Sequence, residues 1–378
     1  MNNVLKLFFK FLSDAVGSCR IDDNITINDQ EAEMLYELAK LHDLAHLVCY
    51  SIERNSIVLN NVKVAKKFKK QLMLSVVRYE RQNSALEQIK KIFNENEIKF
   101  IPLKGAVIRG FYPEPWMRTG SDVDILVCHN DIKRAQDLLM EKSGYSLVSV
   151  GNHDVSLFSP DGVHIELHFS LSDIRNDDEY LENVWKFAKQ KDSDLFEYCL
   201  TDDMFYHYHI YHMAKHFLNG GCGIKPFLDI CVMKKHFETN FKRMVDESTF
   251  CKFANKMEEQ SDIWFESANH TEMSDKIQEY IVSGGVYGST QNKQAMKKNS
   301  KKTVISYYLS RIWLPFSILK LQYPVLEKNV WLLPFYQFKR WFCISFNAKK
   351  YIKNEFAPVK VEQERTTFVS ELKKELGL

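Results

Sequence analysis

The chain has 378 residues, of which 45% are hydrophobic and 26% are charged, so it is long enough for two or three domains with their own cores. Its 51 basic and 49 acidic side chains give a formal net charge of +2, which excludes a histone-like polycation and confines any nucleic-acid contact to a local patch. The eight cysteines are scattered without a CxxC spacing. This pattern indicates neither a disulfide framework nor a zinc knuckle, and it suits a reducing compartment.

The N-terminal stretch MNNVLKLFFKFL is the candidate for a targeting signal. Lys10 interrupts its apolar run and no small-residue cleavage site follows, so we predict an amphipathic first helix instead. No run in the sequence approaches the roughly 18 apolar residues that would span a bilayer. We therefore expect a cytoplasmic protein.

Residues 1–97 are predicted to form an N-terminal helical region. Apolar residues recur at helical spacing over 31–52, and 60–94 is predicted to be one long helix or two abutting helices. We expect Leu72, Leu74, Val76, Val77 and Leu86 to face inward. The basic run at 66–70 is interpreted as a solvated helix face in preference to a nucleic-acid patch, because the overall charge is balanced.

The character of the sequence changes at Ile98, and residues 98–175 are predicted to form a compact unit of strands and helices on a mixed sheet. A helix is expected after Lys104-Gly105, and another from Asn130 to Glu141. Pro160-Asp161-Gly162 predicts a turn between the last two strands. The predicted strands are 98–103, 122–127, 144–150, 154–158 and 163–169.

Three regions are predicted after this unit. Residues 176–282 are expected to form a helical domain, with helices near 177–188, 201–219, 225–238 and 240–258. A Gly- and Lys-rich connection at 283–302 is expected to be a mobile loop. Residues 303–378 are predicted to be an aromatic C-terminal helical region, with helices at 303–320 and 334–353 and a loosely held polar tail after 357.

The aromatic residues of the C-terminal region have two interpretations. The favoured one is a helical core that packs on the α/β unit. The other is a surface for an amphipathic acceptor or for the membrane interface, since basic residues stand among the rings. The residues concerned are Trp313, Phe316, Trp331, Phe335, Tyr336, Trp341 and Phe342.

Asp122 and Asp124 stand two apart in an otherwise apolar run, DVDILV. Successive side chains of a strand point to opposite faces, so both carboxylates lie on one face. Two carboxylates side by side repel each other unless a cation lies between them. Carboxylate oxygens are ligands that Mg²⁺ prefers, so this strand predicts a metal site.

A third acid, Glu166, lies within the later strand VHIELHF. Alternation puts His164, Glu166 and His168 on one face of that strand. An acid in mid-strand is costly unless a cation or a hydrogen-bond donor meets it. A half-exposed strand with a polar outer face is the alternative, but taken together with Asp122 and Asp124 we favour a shared site.

The stretch 98–170 resembles the nucleotidyltransferase domain of the DNA polymerase β superfamily, and in particular its group of uncharacterised nucleotidyltransferases. The resemblance rests on three motifs, LKG, R-x-x-x-D-h-D-h-L-V and h-E-L-H-[FW], where h is a hydrophobic residue. Here they are Leu103-Lys104-Gly105, Arg118 through Val127, and Ile165 through Phe169. Weaker similarity extends over His216, Asp229 and the segment from Tyr323 to Pro334.

This resemblance implies an α+β fold, a nucleotidyltransferase-type mixed sheet with flanking helices. It implies transfer of a nucleoside monophosphate from an NTP such as ATP to an acceptor hydroxyl, with release of pyrophosphate. The acceptor is left open between a small molecule, a sugar, a protein side chain and an RNA end. A catalytically weak nucleotide-binding protein that keeps the fold is the alternative.

The resemblance also implies roles for individual residues. Two Mg²⁺ or Mn²⁺ ions would be held by Asp122 and Asp124, and Glu166 would complete one ion or act as the base. Backbone amides after Gly105 would face the phosphates. Ala106 departs from the usual serine, which shifts phosphate binding to other side chains. The implied nucleotide-binding residues are Lys104, Gly105, Arg118, Ser121 and His168.

Two further features carry alternatives. His207, His209, His212 and His216 recur over ten residues without an accompanying acid or cysteine, so core or substrate-pocket histidines are favoured over a zinc site. Asp229 lies in an apolar helix, where a buried hydrogen bond or salt bridge is the default. A pair between His216 and Asp229 near the cleft is a further hypothesis.

Overall fold

The structure, a computed structural model, describes residues 3–21, 25–172, 178–237, 240–298, 316, 319, 323, 325–339 and 363–378. Its first part is helical and its middle contains the strands. In chain order up to the last strand, the elements are α1 (Asn3–Ala15), α2 (Asp29–Leu41), α3 (Ala45–Arg54), α4 (Val62–Glu95), β1 (Phe100–Pro102), α5 (Gly105–Ile108), β2 (Asp122–Val127), α6 (Ile132–Ser143), β3 (Ser146–Val150), β4 (Asp154–Phe158), β5 (His164–His168), α7 (Glu179–Glu182), β6 (Ala188–Gln190) and β7 (Tyr198–Leu200).

Helices follow β7. They are α8 (Asp202–Leu218), α9 (Lys225–His236), α10 (Arg243–Asp246), α11 (Cys251–Phe265), α12 (Glu272–Val282), α13 (Thr290–Lys298), α14 (Val325–Lys328) and α15 (Gln363–Leu376). Residues 333–339 are helical as well. The predicted α+β class is confirmed: a mixed sheet with helices on its flanks.

The main sheet has five strands in the order β1-β2-β5-β4-β3. β2 and β5 run parallel, whereas the other three pairings are antiparallel. The parallel pair aligns Asp122 with His164 and Asp124 with Glu166. All five predicted strands are present, with ends shifted by a few residues.

The N-terminal helices form as the apolar spacing predicts. The 31–52 stretch divides into α2 and α3 because Asp43, between them, has a left-handed backbone (φ 54°). The α2 N-terminus is fixed by a capping box in which Asn28 and Glu31 exchange hydrogen bonds. The 60–94 stretch is one helix of 34 residues. The inward orientation of Leu74, Val76 and Val77 was wrong, because all three side chains are exposed.

Buried side chains form two hydrophobic cores. One joins α4, α6 and the five-stranded sheet, with Val123, Ile125 and Leu167 at its centre. The other joins the N-terminal helices to the helices after β7. There the rings of Phe9 in α1 and Trp264 in α11 stack at 4.6 Å. The regions 1–97 and 176–282, which we predicted separately, therefore share one core.

Three segments differ from the predicted helical pattern. The stretch predicted as a helix at 177–188 contains only α7 and a 3-10 turn, and it leads into the hairpin of β6 and β7, which the apolar periodicity did not reveal. The predicted 240–258 helix is interrupted between α10 and α11. Helix α13 occupies much of the connection that we predicted as a mobile loop.

Glycines explain the packing of that connection. Gly288 has a left-handed backbone (φ 73°), and a Cβ placed on it would lie 2.3 Å from the carbonyl carbon of Gly220. Only glycine fits at such a distance. Ser289 N–H also donates to Gly220 O. The connection is therefore attached to the end of α8.

The C-terminus is not the polar tail that we expected over residues 363–378. Helix α15 buries Val369, Leu372 and Leu376 completely, at the spacing of one helical face. Arg365 in α15 donates from Nε to Asn292 Oδ1 at 2.9 Å. The tail prediction overlooked this apolar stripe because charged residues surround it.

The aromatic residues of the C-terminal region divide between the two interpretations. Phe316 and Tyr336 pack against the core of the sheet. Trp331 and Phe335 are exposed, at 77% and 62%. Trp313, Trp341 and Phe342, and most of the predicted helices 303–320 and 334–353, lie outside the described residues.

Within the residues that the structure describes, none of the helices combines the length and the apolar character needed to cross a bilayer. Their seven cysteines are free thiols, and Cys222 and Cys231 are among those buried in the helical core.

The docking of α15 yields a stability prediction. Leu372→Ala removes a fully buried side chain, so we expect it to lower the free energy of unfolding by about 2–5 kcal/mol. Glu371→Ala, at the exposed neighbouring position, is the matched control and should change it by less than about 0.5 kcal/mol. Denaturant unfolding of the full chain measures both, and equal effects would contradict the packing of α15.

Candidate active site

A cleft of about 740 Å³ lies between one face of the sheet and the helices α8 and α9. The sheet contributes Asp122, Asp124 and Glu166, and the turn before α5 contributes Lys104 and Gly105. Of the residues predicted from the sequence, Arg118, Ser121 and His168 also line this cleft. All eight predicted site residues are therefore brought together in one place.

The parallel pairing of β2 and β5 sets the distances between the three acids. Asp124 and Glu166 are direct partners in the register, and Asp122 is two residues along the same face. Ligand atoms of Asp124, Glu166 and His168 lie within 4.8 Å of one another, and so do those of Asp122, His164 and Glu166. Glu166 belongs to both groups and connects them.

Asp124 is the buried centre of the cluster. Its Oδ1 accepts hydrogen bonds from Lys104 Nζ at 2.7 Å and from His168 Nε2 at 2.8 Å. Burial disfavours a charged carboxylate, but Lys104 and His168 more than offset this and hold the pKa of Asp124 below its ordinary value. Asp124 is therefore an anion at neutral pH.

His168 connects the acids. Besides its bond to Asp124, its Nε2 lies 3.5 Å from Glu166 Oε2 and lowers the pKa of Glu166. Burial opposes a charge on the ring, but the hydrogen bonds to the two carboxylates raise the pKa of His168. These contacts place His168 between Asp124 and Glu166, where it orients both carboxylates.

Asp122 differs from its neighbours, since its carboxylate makes no hydrogen bond or ion pair with any described residue. Burial and the nearby Asp124 carboxylate raise its pKa. An acid whose charge is disfavoured in this way gains most from an added cation. The donor set is dominated by carboxylate oxygens, which fits a hard divalent cation such as Mg²⁺ or Mn²⁺.

The turn before α5 is made at Lys104, whose backbone has a positive φ of 44°. The amides of Ala106 and Val107 donate to the carbonyls of Leu103 and Lys104. The expected ring of backbone donors for phosphate is therefore reduced.

Ala106, where the superfamily usually has serine, does not line the cleft. It lines a separate cavity of about 320 Å³ together with Pro102 and Val107. Ala106 belongs to that cavity and not to the cleft, so the absence of a serine hydroxyl here removes no hydrogen-bond donor from the cleft.

Arg118, a predicted phosphate ligand, is bound within the protein. Its Nε and Nη2 donate to Asp229 Oδ1 and Oδ2 at 2.7 and 2.8 Å, and its Nη1 donates to the Thr119 carbonyl. The Tyr112 hydroxyl donates to Asp229 Oδ1 at 2.8 Å. The salt-bridge role expected for Asp229 is confirmed, but its partner is Arg118, and the hypothesis of a His216–Asp229 pair was wrong.

A second ion-pair cluster supports the same segment. Lys225 Nζ donates to Asp43 Oδ2 and Thr119 Oγ1, both at 2.9 Å, and Thr119 Oγ1 donates to Asp43 Oδ2 at 2.8 Å. Burial lowers the pKa of Lys225, and the Asp43 carboxylate opposes this shift. The contacts tie the segment before β2 to the α2–α3 break and to α9.

The wall of the cleft opposite the acids is one face of α8. It carries Tyr208, His209, His212 and His216, all of which line the cleft. His209 Nε2 lies 3.1 Å from Pro226 O, and the Nε2 atoms of His212 and His216 lie 3.1 Å apart. The metal-ligating groups found among the described residues do not include these rings. The fourth histidine, His207, is buried and pairs with Asp178 at 2.8 Å.

A profile of the uncharacterised nucleotidyltransferase family matches residues 28–258, more than half of the chain. The chain belongs to this family. No curated protein matches the sequence. The matched range includes the whole five-stranded sheet together with α8 and α9, so both walls of the cleft belong to the family match. Nucleotidyl transfer is thus the general activity indicated by the family.

Sequence reasoning missed Asp43, Thr119, Lys225 and His153 as cleft residues. Asp43 and Lys225 are separated by 182 positions, and no periodic pattern connects them. One available signal was that Lys225 directly precedes Pro226 at the start of an apolar helix, where a charged residue needs a partner. His153 directly precedes β4, and its ring centroid lies 6.1 Å from that of His168.

The Arg118–Asp229 pair yields a second stability prediction. Asp229 is completely buried and the Arg118 side chain is 14% exposed, so Asp229→Ala leaves an uncompensated charge and should cost roughly 3–5 kcal/mol of unfolding free energy. Arg118→Met/Asp229→Leu removes both charges and should cost less.

The surface pair Arg243–Asp203 provides the control, because its arginine is 61% exposed. Arg243→Ala should change the unfolding free energy by less than about 1 kcal/mol. Chemical denaturation distinguishes these cases. If the double variant loses as much stability as Asp229→Ala, burial of the unpaired charge is not the cause.

Proposed function

We propose that this protein is a Mg²⁺-dependent nucleotidyltransferase that transfers a nucleoside monophosphate from an NTP to an acceptor hydroxyl and releases pyrophosphate. The observation that carries the proposal is the alignment of Asp124 with Glu166 across the parallel strands, with Asp122 beside them on the same face. Membership of the family supports the general reaction.

Asp122, Asp124 and Glu166 would hold the metal ions. Bound there, Mg²⁺ would act as a Lewis acid toward the phosphoryl oxygens of the NTP. Lys104 and His168 keep Asp124 ionised and fix its position through hydrogen bonds of 2.7 and 2.8 Å. The acids are thus ready to bind a cation without rearranging.

In the transfer step, the acceptor oxygen attacks the α-phosphorus and forms a P–O bond, while the bond from this phosphorus to the β-phosphate oxygen breaks. Pyrophosphate leaves with the electron pair of that bond. The proton of the acceptor hydroxyl passes to the Glu166 carboxylate, which is only partly buried and has a lowered pKa. Ser121 is exposed directly before β2. In the segment 118–121 it is the remaining side chain that can donate a hydrogen bond to phosphate.

A second candidate function is nucleotide binding without efficient transfer. It is favoured by one observation: Lys104 and Arg118, the expected phosphate ligands, both pair with carboxylates of the protein. Measurement of pyrophosphate release from labelled NTP in the presence of Mg²⁺ distinguishes the two candidates, because binding alone releases none.

The metal assignment predicts the effect of single substitutions. Asp122→Asn and Asp124→Asn each remove a negative charge at nearly constant shape. Loss of a residue that only supports a metal ligand typically costs about tenfold or more in metal affinity. Loss of a ligand itself should therefore weaken Mg²⁺-dependent NTP binding by more than about tenfold. Asp161→Asn, in the exposed turn between β4 and β5, should bind as the unmodified protein does.

Equilibrium binding of a non-hydrolysable NTP analogue over a Mg²⁺ titration measures this, with circular dichroism as the test of folding. Unchanged affinity for both metal and nucleotide in the two variants would refute the proposed metal site.

A further inference from the structure

The electrostatic balance of the cleft limits what its acceptor can be. Five carboxylates line it, and four of its five cationic side chains are already paired with one of them. The pairs are Lys104–Asp124, Arg118–Asp229, Lys225–Asp43 and Arg78–Asp43. A polyanionic acceptor such as an RNA end is bound through an excess of positive charge, which the cleft does not provide.

The fifth cation, Lys215, lies on α8, and the histidine rings near it are neutral hydrogen-bonding groups. Burial lowers the pKa of His216 to about 4 and, with Lys104 nearby, lowers the pKa of His212 well below its ordinary value. Both rings are therefore uncharged at neutral pH. Lys104 and Asp124 both influence the pKa of His216, so this ring lies within electrostatic range of the carboxylate cluster.

The contact between the two rings determines what they offer to a ligand. The Nε2 atoms are 3.1 Å apart, so one Nε2 carries the proton and the other accepts it. A neutral imidazole has one donor and one acceptor nitrogen. The first ring therefore has a lone pair on Nδ1, and the second has an N–H there. The pair therefore has one acceptor nitrogen and one donor nitrogen left, and a single alcohol group can bond to one of each.

We propose that the His212–His216 pair binds the acceptor hydroxyl, and that the acceptor is a neutral polyhydroxyl compound, a sugar or a polyol. The inference rests on the proposed nucleotidyl transfer and specifies its acceptor class.

The experiment separates this inference from the function on which it rests. The full chain is first titrated with Mg²⁺ and a non-hydrolysable NTP analogue, which tests nucleotide binding alone. It is then incubated with α-labelled NTPs and one of three acceptor sets: neutral hexoses and polyols, an RNA oligonucleotide, or a hydroxyl-bearing peptide. The expected result is label in the first set.

Substitutions then test the two rings. His212→Phe and His216→Phe keep a ring but lose its nitrogens, so kcat/KM for the neutral acceptor should fall by at least about tenfold. NTP binding should stay within about twofold of the unmodified protein. His212→Asn and His216→Asn retain polar atoms near the Nδ1 positions and should recover part of the loss. His270→Gln, at an exposed position outside the cleft, is the control and should change neither quantity.

The outcomes are distinct. Absence of Mg²⁺-dependent NTP binding in the unmodified protein would overturn the proposed function and this inference with it. Intact NTP binding with label only in RNA or peptide, or in no neutral acceptor, would overturn the inference alone. An unchanged kcat/KM in both folded Phe variants would show that the histidine pair does not bind the acceptor.

Discussion

The parallel pairing of β2 with β5 is the constraint on which the rest of this protein depends. A parallel pair requires a long crossover connection, and here α6, β3 and β4 supply it before β5 is added beside β2. The register then places Asp124 directly opposite Glu166. A slip of one residue would send one of these acids into the hydrophobic core, so the apolar faces of both strands fix the site as well as the fold.

The neighbouring acids repel each other, and the surrounding structure supports them in two ways. Lys104 and His168 stabilise Asp124 directly. The Arg118–Asp229 and Lys225–Asp43 pairs act at a distance, because they attach the segment before β2 to the helical core. The helices therefore do more than enclose the cleft: they hold the end of β2, where Asp122 has no partner among the residues that the structure describes.

The sequence predicted the local parts of this arrangement better than the long-range ones. Alternation within VHIELHF and DVDILV was enough to place the acids on one face of each strand, since side-chain direction in a strand depends only on position. It could not reveal that Arg118 would bind Asp229, because 111 residues separate them. The inward face of α4 was misjudged at Leu74, Val76 and Val77 for the same reason: propensity and spacing do not say which part of a long helix has a neighbour. Helix α15 was missed because three apolar residues among many charges give a weak signal.

The two walls of the cleft differ in the chemistry that they can perform. The sheet face concentrates negative charge, and Asp122 has no partner among the described residues, so this wall is suited to metal ions and the phosphates that they bind. The α8 wall is buried and uncharged at His212 and His216. A charged acceptor would have to give up its hydration beside these two neutral rings, which is unfavourable. A neutral hydroxyl group also gives up water there, but the paired rings can replace most of the hydrogen bonds that it loses. The separation of a charged wall from a neutral one thus provides a physical basis for distinguishing the nucleotide from its acceptor within a single cleft.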